Sequence, residues 1–161
     1  MVADEHGHAE HCSLETYFEI EELDEGWKSV DSLAIRSFRT DHVPEKDSWG
    51  FVVRDEASGE RMIFGCDTRV PHPELLAEPL DEDFARGPIF HDCQLSTDGT
   101  AKIHVSLVEI DYSPAVQSRV VLVHYSDDVE DHVDRIRAAG LKIAHPGDAV
   151  TMPEWRSRFA S

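Results

Sequence analysis

Alternating apolar and polar residues predict that the first half of the chain is built from strands. Residues 32–38 alternate in this way, which is typical of a strand with one buried face. Residues 17–23, 49–54 and 61–65 have similar patterns and predict three further strands. Residues 55–59 lie between the last two of these and predict a hairpin turn.

The second half mixes strand and helix patterns. Val120–Val123 is a continuous apolar run, as expected for a strand covered on both faces. Apolar residues at helical spacing predict a helix over 128–139, which ends at Gly140. Further strands are predicted at 88–93, 141–144 and 149–152. Strands followed by mixed strands and helices predict one layered α/β (α+β) domain over residues 1–161.

Charge is the first compositional feature that changes this picture. The chain of 161 residues has 33 acidic and 15 basic side chains, a net charge of −18. Adaptation to high salt and simple solubility both explain such a surface, and the sequence leaves the two open. The charge would repel a nucleic-acid polymer unless molar salt screened it, and no cluster of lysine and arginine offsets it.

The sequence has no feature of a membrane protein. No apolar run approaches the roughly 18 residues of a membrane span, and the acidic N-terminus differs from a signal peptide. A cytoplasmic location is expected, or a virion-associated one if the source is viral. The three cysteines, Cys12, Cys66 and Cys93, lack metal-ribbon spacing and are interpreted as small packing residues.

A histidine-rich run near the N-terminus is the first candidate for chemistry. His6, His8, Glu10 and His11 can converge on one metal ion if the backbone turns. Imidazole and carboxylate ligands suit Zn²⁺, and also Mn²⁺ or Fe. Taken alone, such a run is more often a disordered tail.

Four later residues strengthen the case for a metal site. His42, Asp67 and His124 each follow a predicted strand, and His104 lies in a short apolar segment. Layered α/β sheets place their sites at the carboxyl ends of strands. His72 and His132 are interpreted as solvated.

The order of these motifs resembles that of the metallo-β-lactamase superfamily. H-x-H-x-E-H is followed by a lone His42, by Asp67 within C-D-T, by the pair His91-Asp92, by His104 within H-V-S, and by His124. The branch that contains ribonuclease Z and cyclic-nucleotide phosphodiesterases is the most similar. The resemblance implies a four-layer αββα sandwich.

The resemblance also implies a role for each candidate residue. Two divalent ions are implied, with zinc preferred over manganese or iron. The implied ligands of the first ion are His6, His8 and His42, those of the second are Glu10, His11 and His124, and Asp67 bridges the two. His104 and Glu10 are implied to be catalytic. His91 and Asp92 are implied to support the site from behind.

Two departures from the family pattern matter. Glu10 stands where the family has an Asp that binds metal and orients the attacking water. The extra methylene of Glu10 displaces the carboxylate from that position, which can lower the rate. The strands and helices that precede the first motif in the family, and a long insert after it, are also absent. We therefore expect a truncated sandwich, with residues 1–14 as a remnant of the first motif and 15–161 as the C-terminal half. A homodimer, or a separate chain that covers the exposed sheet, is expected.

The sequence supports two functions. The first is a metal-dependent hydrolase of a phosphodiester, a small or cyclic nucleotide rather than tRNA. The alternative is a weakly active or inactive, metal-stabilised structural or assembly subunit, for example a viral one, which needs a partner chain.

Overall fold

The computed structural model of the protein describes residues 22–24, 26–95, 103–125, 127–145 and 147–148. The predicted metal run at 6–11, most of the strand predicted at 17–23, and the strand predicted at 149–152 lie outside these ranges. Residues 22–24, at the end of the first of these predicted strands, are not in a strand.

In the described ranges, seven strands form one mixed sheet, and its strands follow one another in chain order. The strands are β1 (Trp27–Val30), β2 (Leu33–Thr40), β3 (Ser48–Asp55), β4 (Arg61–Phe64), β5 (Ile89–Asp92), β6 (Val120–Val123) and β7 (Lys142–Ile143). The first four pair antiparallel, as short hairpin connections require. The last three pair parallel through longer crossovers.

The helices are short. They are α1 (Pro73–Leu76), α2 (Pro114–Gln117) and α3 (Val133–Ala138), with 3₁₀ turns at Leu107–Glu109 and Val129–His132. The single helix predicted over 128–139 is divided because the backbone at His132, with φ −112° and ψ −3°, departs from helical values. Gly140 has φ 74° and ends α3 as predicted. None of the helices in the described ranges has the length and apolar character to cross a membrane.

The two faces of the sheet differ in burial. Val52, Ile63 and Ile89 are paired neighbours on adjacent strands, and all three are fully buried. Each short helix adds one buried residue to the same core: Leu75, Val116 and Ile136. This face therefore carries a helical layer.

The opposite face of the sheet is apolar but only half-buried. Phe51 pairs with Phe64, which pairs with Phe90, and all three are half-buried. The rings of Phe64 and Phe90 stack with their centroids 4.9 Å apart. One sheet with one helical layer is half of the αββα sandwich, so the predicted fold class is confirmed.

Strand β1 was not predicted. It forms a tight hairpin with β2, in which Val30 pairs with Leu33 and Asp31 adopts φ 54°. The Asp31-Ser32 pair between apolar residues is a turn signal, because Asp tolerates the left-handed conformation.

Candidate metal centre

The candidate residues lie at one edge of the sheet, which we call the site edge. Strands β2 and β4 both run antiparallel to β3, and β5 and β6 run parallel to β4, so all four end at this edge. His42 follows β2, Asp67 follows β4, Asp92 ends β5 and His124 follows β6. The topology thus brings together residues that are up to 82 positions apart in the sequence.

Two residues at the site edge have left-handed backbone conformations. Cys66 and His124 both have φ 51°, although neither is a glycine. Such conformations are uncommon for residues with a Cβ and occur often at functional sites. They turn the chain sharply at the ends of β4 and β6, immediately before Asp67 and at His124 itself.

Asp67 is the centre of the exposed part of the site. His124 Nδ1 donates to Asp67 Oδ1 at 2.9 Å, and His42 Nε2 lies 3.8 Å from Asp67 Oδ2. The backbone carbonyl of Asp67 accepts hydrogen bonds from the hydroxyl groups of Thr40 and Ser48, at 3.0 and 3.3 Å. These bonds hold the Asp67 loop against the ends of β2 and β3, while its carboxylate stays 44% exposed.

A second acid–imidazole pair is buried beside the first. His104 Nδ1 donates to Asp92 Oδ2 at 2.6 Å, and the Thr68 N–H donates to the same oxygen at 3.0 Å. Burial alone would raise the pKa of Asp92, but the N–H groups of His91, Thr68 and His104 near its carboxylate together lower it below its usual value. Asp92 is therefore an anion that orients the His104 ring.

A buried hydrogen-bond network lies behind Asp92. His91 Nδ1 lies 2.7 Å from the Asp92 carbonyl oxygen, which can only accept, so Nδ1 carries the proton. Nε2 on the other side of the ring lies 2.9 Å from the Tyr112 hydroxyl. The Tyr112 oxygen in turn accepts the backbone N–H of His72 at 3.0 Å. The supporting role of His91 and Asp92 stays a prediction, and in the structure both residues belong to this network next to His104.

The two acid–imidazole pairs form a donor set suited to a metal ion. Asp67, Asp92, His104 and His124 each offer a ligand atom, and these atoms lie within 4.8 Å of one another. The His104 ring centroid is 5.1 Å from that of His42 and 4.9 Å from that of His124.

Unsatisfied polar atoms provide a separate indication. Among the described residues, His42 Nδ1 and Asp92 Oδ1 are buried without a hydrogen-bond partner, as are both ring nitrogens of His72 outside the site. Buried polar atoms of this kind are rare in native structures and need an explanation. Imidazole and carboxylate donors with unused capacity fit a divalent metal such as zinc.

The structure places the predicted residues as follows. His42, Asp67 and His124 converge at the site edge, with His104 and Asp92 beside them. His6, His8, Glu10 and His11 lie outside the described residues, so their roles stay predictions.

Two interpretations of single residues were wrong. His72 is 1% exposed rather than solvated, and burial next to His91 lowers its pKa to about 3. Cys66 is exposed rather than packed, whereas Cys93 is buried, which raises its pKa to about 12. Tyr112 was missed altogether, because a single tyrosine carries no sequence signal until the fold brings it to His91.

Similarity to a solved structure identifies the class of protein. The metallo-β-lactamase fold protein YhfI from Bacillus subtilis aligns with 80% of this chain and 54% of its own, with a TM-score of 0.57 and 15% identity. Together with the sheet and its site edge, this makes the chain a metallo-β-lactamase-fold protein.

Sequence comparison identifies the family more narrowly. The family model described as Anti-Pycsar protein Apyc1 matches residues 3–146. A relative with that name from Paenibacillus sp. (strain J14) is 34% identical over 121 residues, covering 73% of this chain and 46% of the relative. Another, from Bacillus phage 010DV004, is 35% identical over 103 residues, covering 63% and 37%. The chain belongs to the Anti-Pycsar protein Apyc1 family, and it spans about half the length of the curated relatives it matches.

Proposed function

We propose that the protein is a metal-dependent phosphodiesterase that acts on a small or cyclic nucleotide. The observation that carries this proposal is the pairing of two acid–imidazole units at the site edge. Asp67–His124 is exposed, and Asp92–His104 is largely buried beside it. The exposed Asp67–His124 pair suits a metal ion that faces solvent. The Asp92–His104 pair suits proton transfer to a substrate bound at that metal.

His42, Asp67 and His124 would hold the metal, together with the ligands of the first motif: His6, His8, Glu10 and His11. Two divalent ions, zinc or alternatively manganese or iron, fit this number of ligands. When bound, the metal supplies an activated water and neutralises charge on the phosphate. Glu10 is assigned to orient the attacking water.

His104 is assigned to the phosphoryl group. Its Nδ1–H is held by Asp92 Oδ2, so Nε2 is the nitrogen that can give or take a proton. The hydrogen bond to Asp92 fixes the direction of the His104 ring. His104 would thus donate a hydrogen bond or a proton to a phosphoryl oxygen.

The charge of the protein supports a small substrate. A net charge of −18 repels long polyanions, so a nucleic-acid polymer would approach the site edge against the field of the whole protein. A cyclic mononucleotide carries one negative charge, which the metal would neutralise.

Hydrolysis assays with a matched pair of variants test the proposal. The substrates are bis-p-nitrophenyl phosphate and a panel of cyclic nucleotides, with zinc or manganese present. Asp67→Asn should lower kcat/KM by about a hundredfold or more, since one charged ligand is lost. Asp47→Asn, at an exposed residue paired with Arg39, should retain the activity of the natural sequence. Absence of turnover by the natural sequence, or equal loss in both variants, would overturn the proposal.

A metal-stabilised structural subunit is the second candidate. The half-buried apolar face around Phe51, Phe64 and Phe90 favours it, because such a face is usually covered in a complex. A second copy of the chain or a separate partner would supply the cover. For this candidate, metal raises the melting temperature without any turnover, and sedimentation velocity detects a complex. A chain that stays monomeric and gains no stability from metal would rule it out.

A further inference from the structure

A cleft opens between the ends of β6 and β7, next to the candidate metal centre. We call it the β6–β7 cleft. Its volume is about 540 Å³, which lies within the usual range for small-molecule sites. Its walls include His124, Tyr125, Asp127, Val129, Glu130 and His145.

The cleft and the metal centre share one residue. His124 lines the cleft and also donates through Nδ1 to Asp67. A phosphodiester held at Asp67 and His124 would therefore have one of its ester substituents at the mouth of the cleft. No other described residue belongs to both the cleft lining and the metal-type donor set.

The lining combines apolar surface with carboxylates. Val129 is buried beneath the cleft, and Val123 and Ala144 add apolar surface. Asp127 and Glu130 are exposed on its walls, whereas none of the described lining residues is a lysine or an arginine. Carboxylates accept hydrogen bonds from hydroxyl and amino groups but repel phosphate.

Tyr125 is fixed in the wall of this cleft. Its hydroxyl donates to the Ala144 carbonyl, which ties the end of β6 to the end of β7. This hydrogen bond restrains the aromatic ring of Tyr125 in the wall of the cleft.

We propose that the β6–β7 cleft binds the nucleoside part of the substrate, with the base against Tyr125 and Val129 and its polar donors on Asp127 and Glu130. This assignment rests on the proposed function, in which the phosphate lies at Asp67 and His124. Ribose hydroxyl and base amino groups are the donors that the two carboxylates would accept. The same carboxylates make the cleft unfavourable for a second phosphate.

A neighbouring cavity of about 510 Å³ has different chemistry. It shares Glu130 and His145 with the cleft but also contains Arg137 and Lys142. Arg137 lies 3.5 Å from Asp134, which partly neutralises it. A phosphate-bearing ligand would favour this second cavity, which gives the proposal a clear alternative outcome.

Binding of free nucleosides tests the assignment without requiring turnover. Adenosine, guanosine, cytidine and uridine are titrated into the full chain as purified, and Kd is measured by saturation-transfer NMR. The double variant Asp127→Asn, Glu130→Gln should weaken binding about tenfold, since two charged hydrogen-bond acceptors become neutral. The control Asp131→Asn removes one charge from an exposed residue next to Glu130 but outside the cleft, and it should bind as the natural sequence does.

Three results would overturn the assignment. One is that none of the four nucleosides binds. Another is that Asp131→Asn weakens binding as much as the double variant does. A third is that adenosine 5′-monophosphate binds more tightly than adenosine and loses affinity in Arg137→Gln, which would place the ligand in the second cavity.

Kinetics separate this assignment from the proposed function. In the double variant, kcat/KM for a cyclic nucleotide relative to that for bis-p-nitrophenyl phosphate should fall about tenfold, mainly through KM. Asp131→Asn should leave the ratio unchanged. If the protein hydrolyses bis-p-nitrophenyl phosphate but the double variant leaves this ratio of kcat/KM values unchanged, the cleft assignment is overturned and the proposed function is not. Nucleoside binding that depends on Asp127 and Glu130, without any hydrolysis, supports the cleft and overturns the proposed function.

Discussion

At the scale of single residues, the site depends on side chains that act in pairs. Asp92 orients His104 through one oxygen, and Asp67 contacts His124 and lies close to His42. The sequence predicted His42, Asp67, His104 and His124 because each stands at a strand end or in a recognisable motif. It could not predict His72 or Tyr112, because their burial and partners depend on contacts between segments that are far apart in the chain.

Asp92→Asn should reduce activity by acting through His104. Loss of the negative charge weakens the hydrogen bond that the His104 Nδ1–H donates to residue 92. We therefore expect kcat to fall about a hundredfold. His104→Gln should lower kcat by a similar amount. Because both changes remove the same function, the double variant should lose little more than either single one. Independent losses that multiply in the double variant would show that the two residues do not act together.

His72 should make the stability of the protein depend on pH. Burial lowers its pKa from 6.5 to about 3. Between these two pH values, His72 is therefore protonated in the unfolded chain but not in the folded protein. The free energy of unfolding should therefore fall by up to about 1.4 kcal/mol per pH unit as the pH drops from 6.5 towards 3. Urea unfolding between pH 7 and 5, followed by tryptophan fluorescence, measures this slope.

His72→Gln isolates this contribution because glutamine does not titrate. Its stability at pH 7 is expected to be lower, since a buried amide also needs partners. Its slope below pH 6.5 should be smaller than that of the natural sequence. Equal slopes in the two proteins would mean that His72 is not the residue responsible.

At the scale of secondary structure, strands were easier to predict than helices. Strands β2, β3, β4 and β6 lie close to their predicted positions, because each has a regular apolar pattern and a clear turn beside it. The predicted helix 128–139 is divided into a 3₁₀ turn and the six-residue α3. Apolar spacing alone does not distinguish one long helix from two shorter pieces that bury the same residues, Val129 and Ile136.

The loop after β4 should not tolerate a side chain at Gly65. Its N–H donates to the Phe90 carbonyl at 2.7 Å, and a Cβ would lie 2.4 Å from His72 Nε2. We expect Gly65→Ala to destabilise the protein by about 1–3 kcal/mol, as overpacking does. The loop carries Asp67, so zinc affinity should fall as well. Thermal unfolding and isothermal titration calorimetry measure the two effects.

Gly59→Ala is the matched control. Gly59 has φ 69° in the hairpin turn between β3 and β4, with open space around its Cβ position. The alanine should cost about 1 kcal/mol of stability through its left-handed conformation. Zinc affinity should be unaffected. If zinc affinity fell equally in both variants, the effect of Gly65→Ala on zinc would come from lower overall stability and not from the position of Asp67.

At the scale of the whole molecule, the fold explains why the site is on one side. Parallel pairing of β4, β5 and β6 places their carboxyl ends at the site edge, and the β2–β3–β4 meander adds the end of β2. The sequence predicted this convergence through the resemblance to a family. It could not predict the β6–β7 cleft, because its walls come from two stretches of the chain, 123–130 and 144–145, whose spacing is set by packing.

Metal content per chain is the measurement that tests the central claim most directly. Protein without a tag, purified without added metal, is analysed by plasma mass spectrometry beside Asp67→Ala and Asp47→Ala. We predict about two divalent ions per chain for the natural sequence and for Asp47→Ala, as a two-metal site requires, and a large loss for Asp67→Ala. Little or no metal in the natural sequence even after incubation with zinc or manganese, or equal metal content in all three proteins, would contradict a metal centre at the site edge.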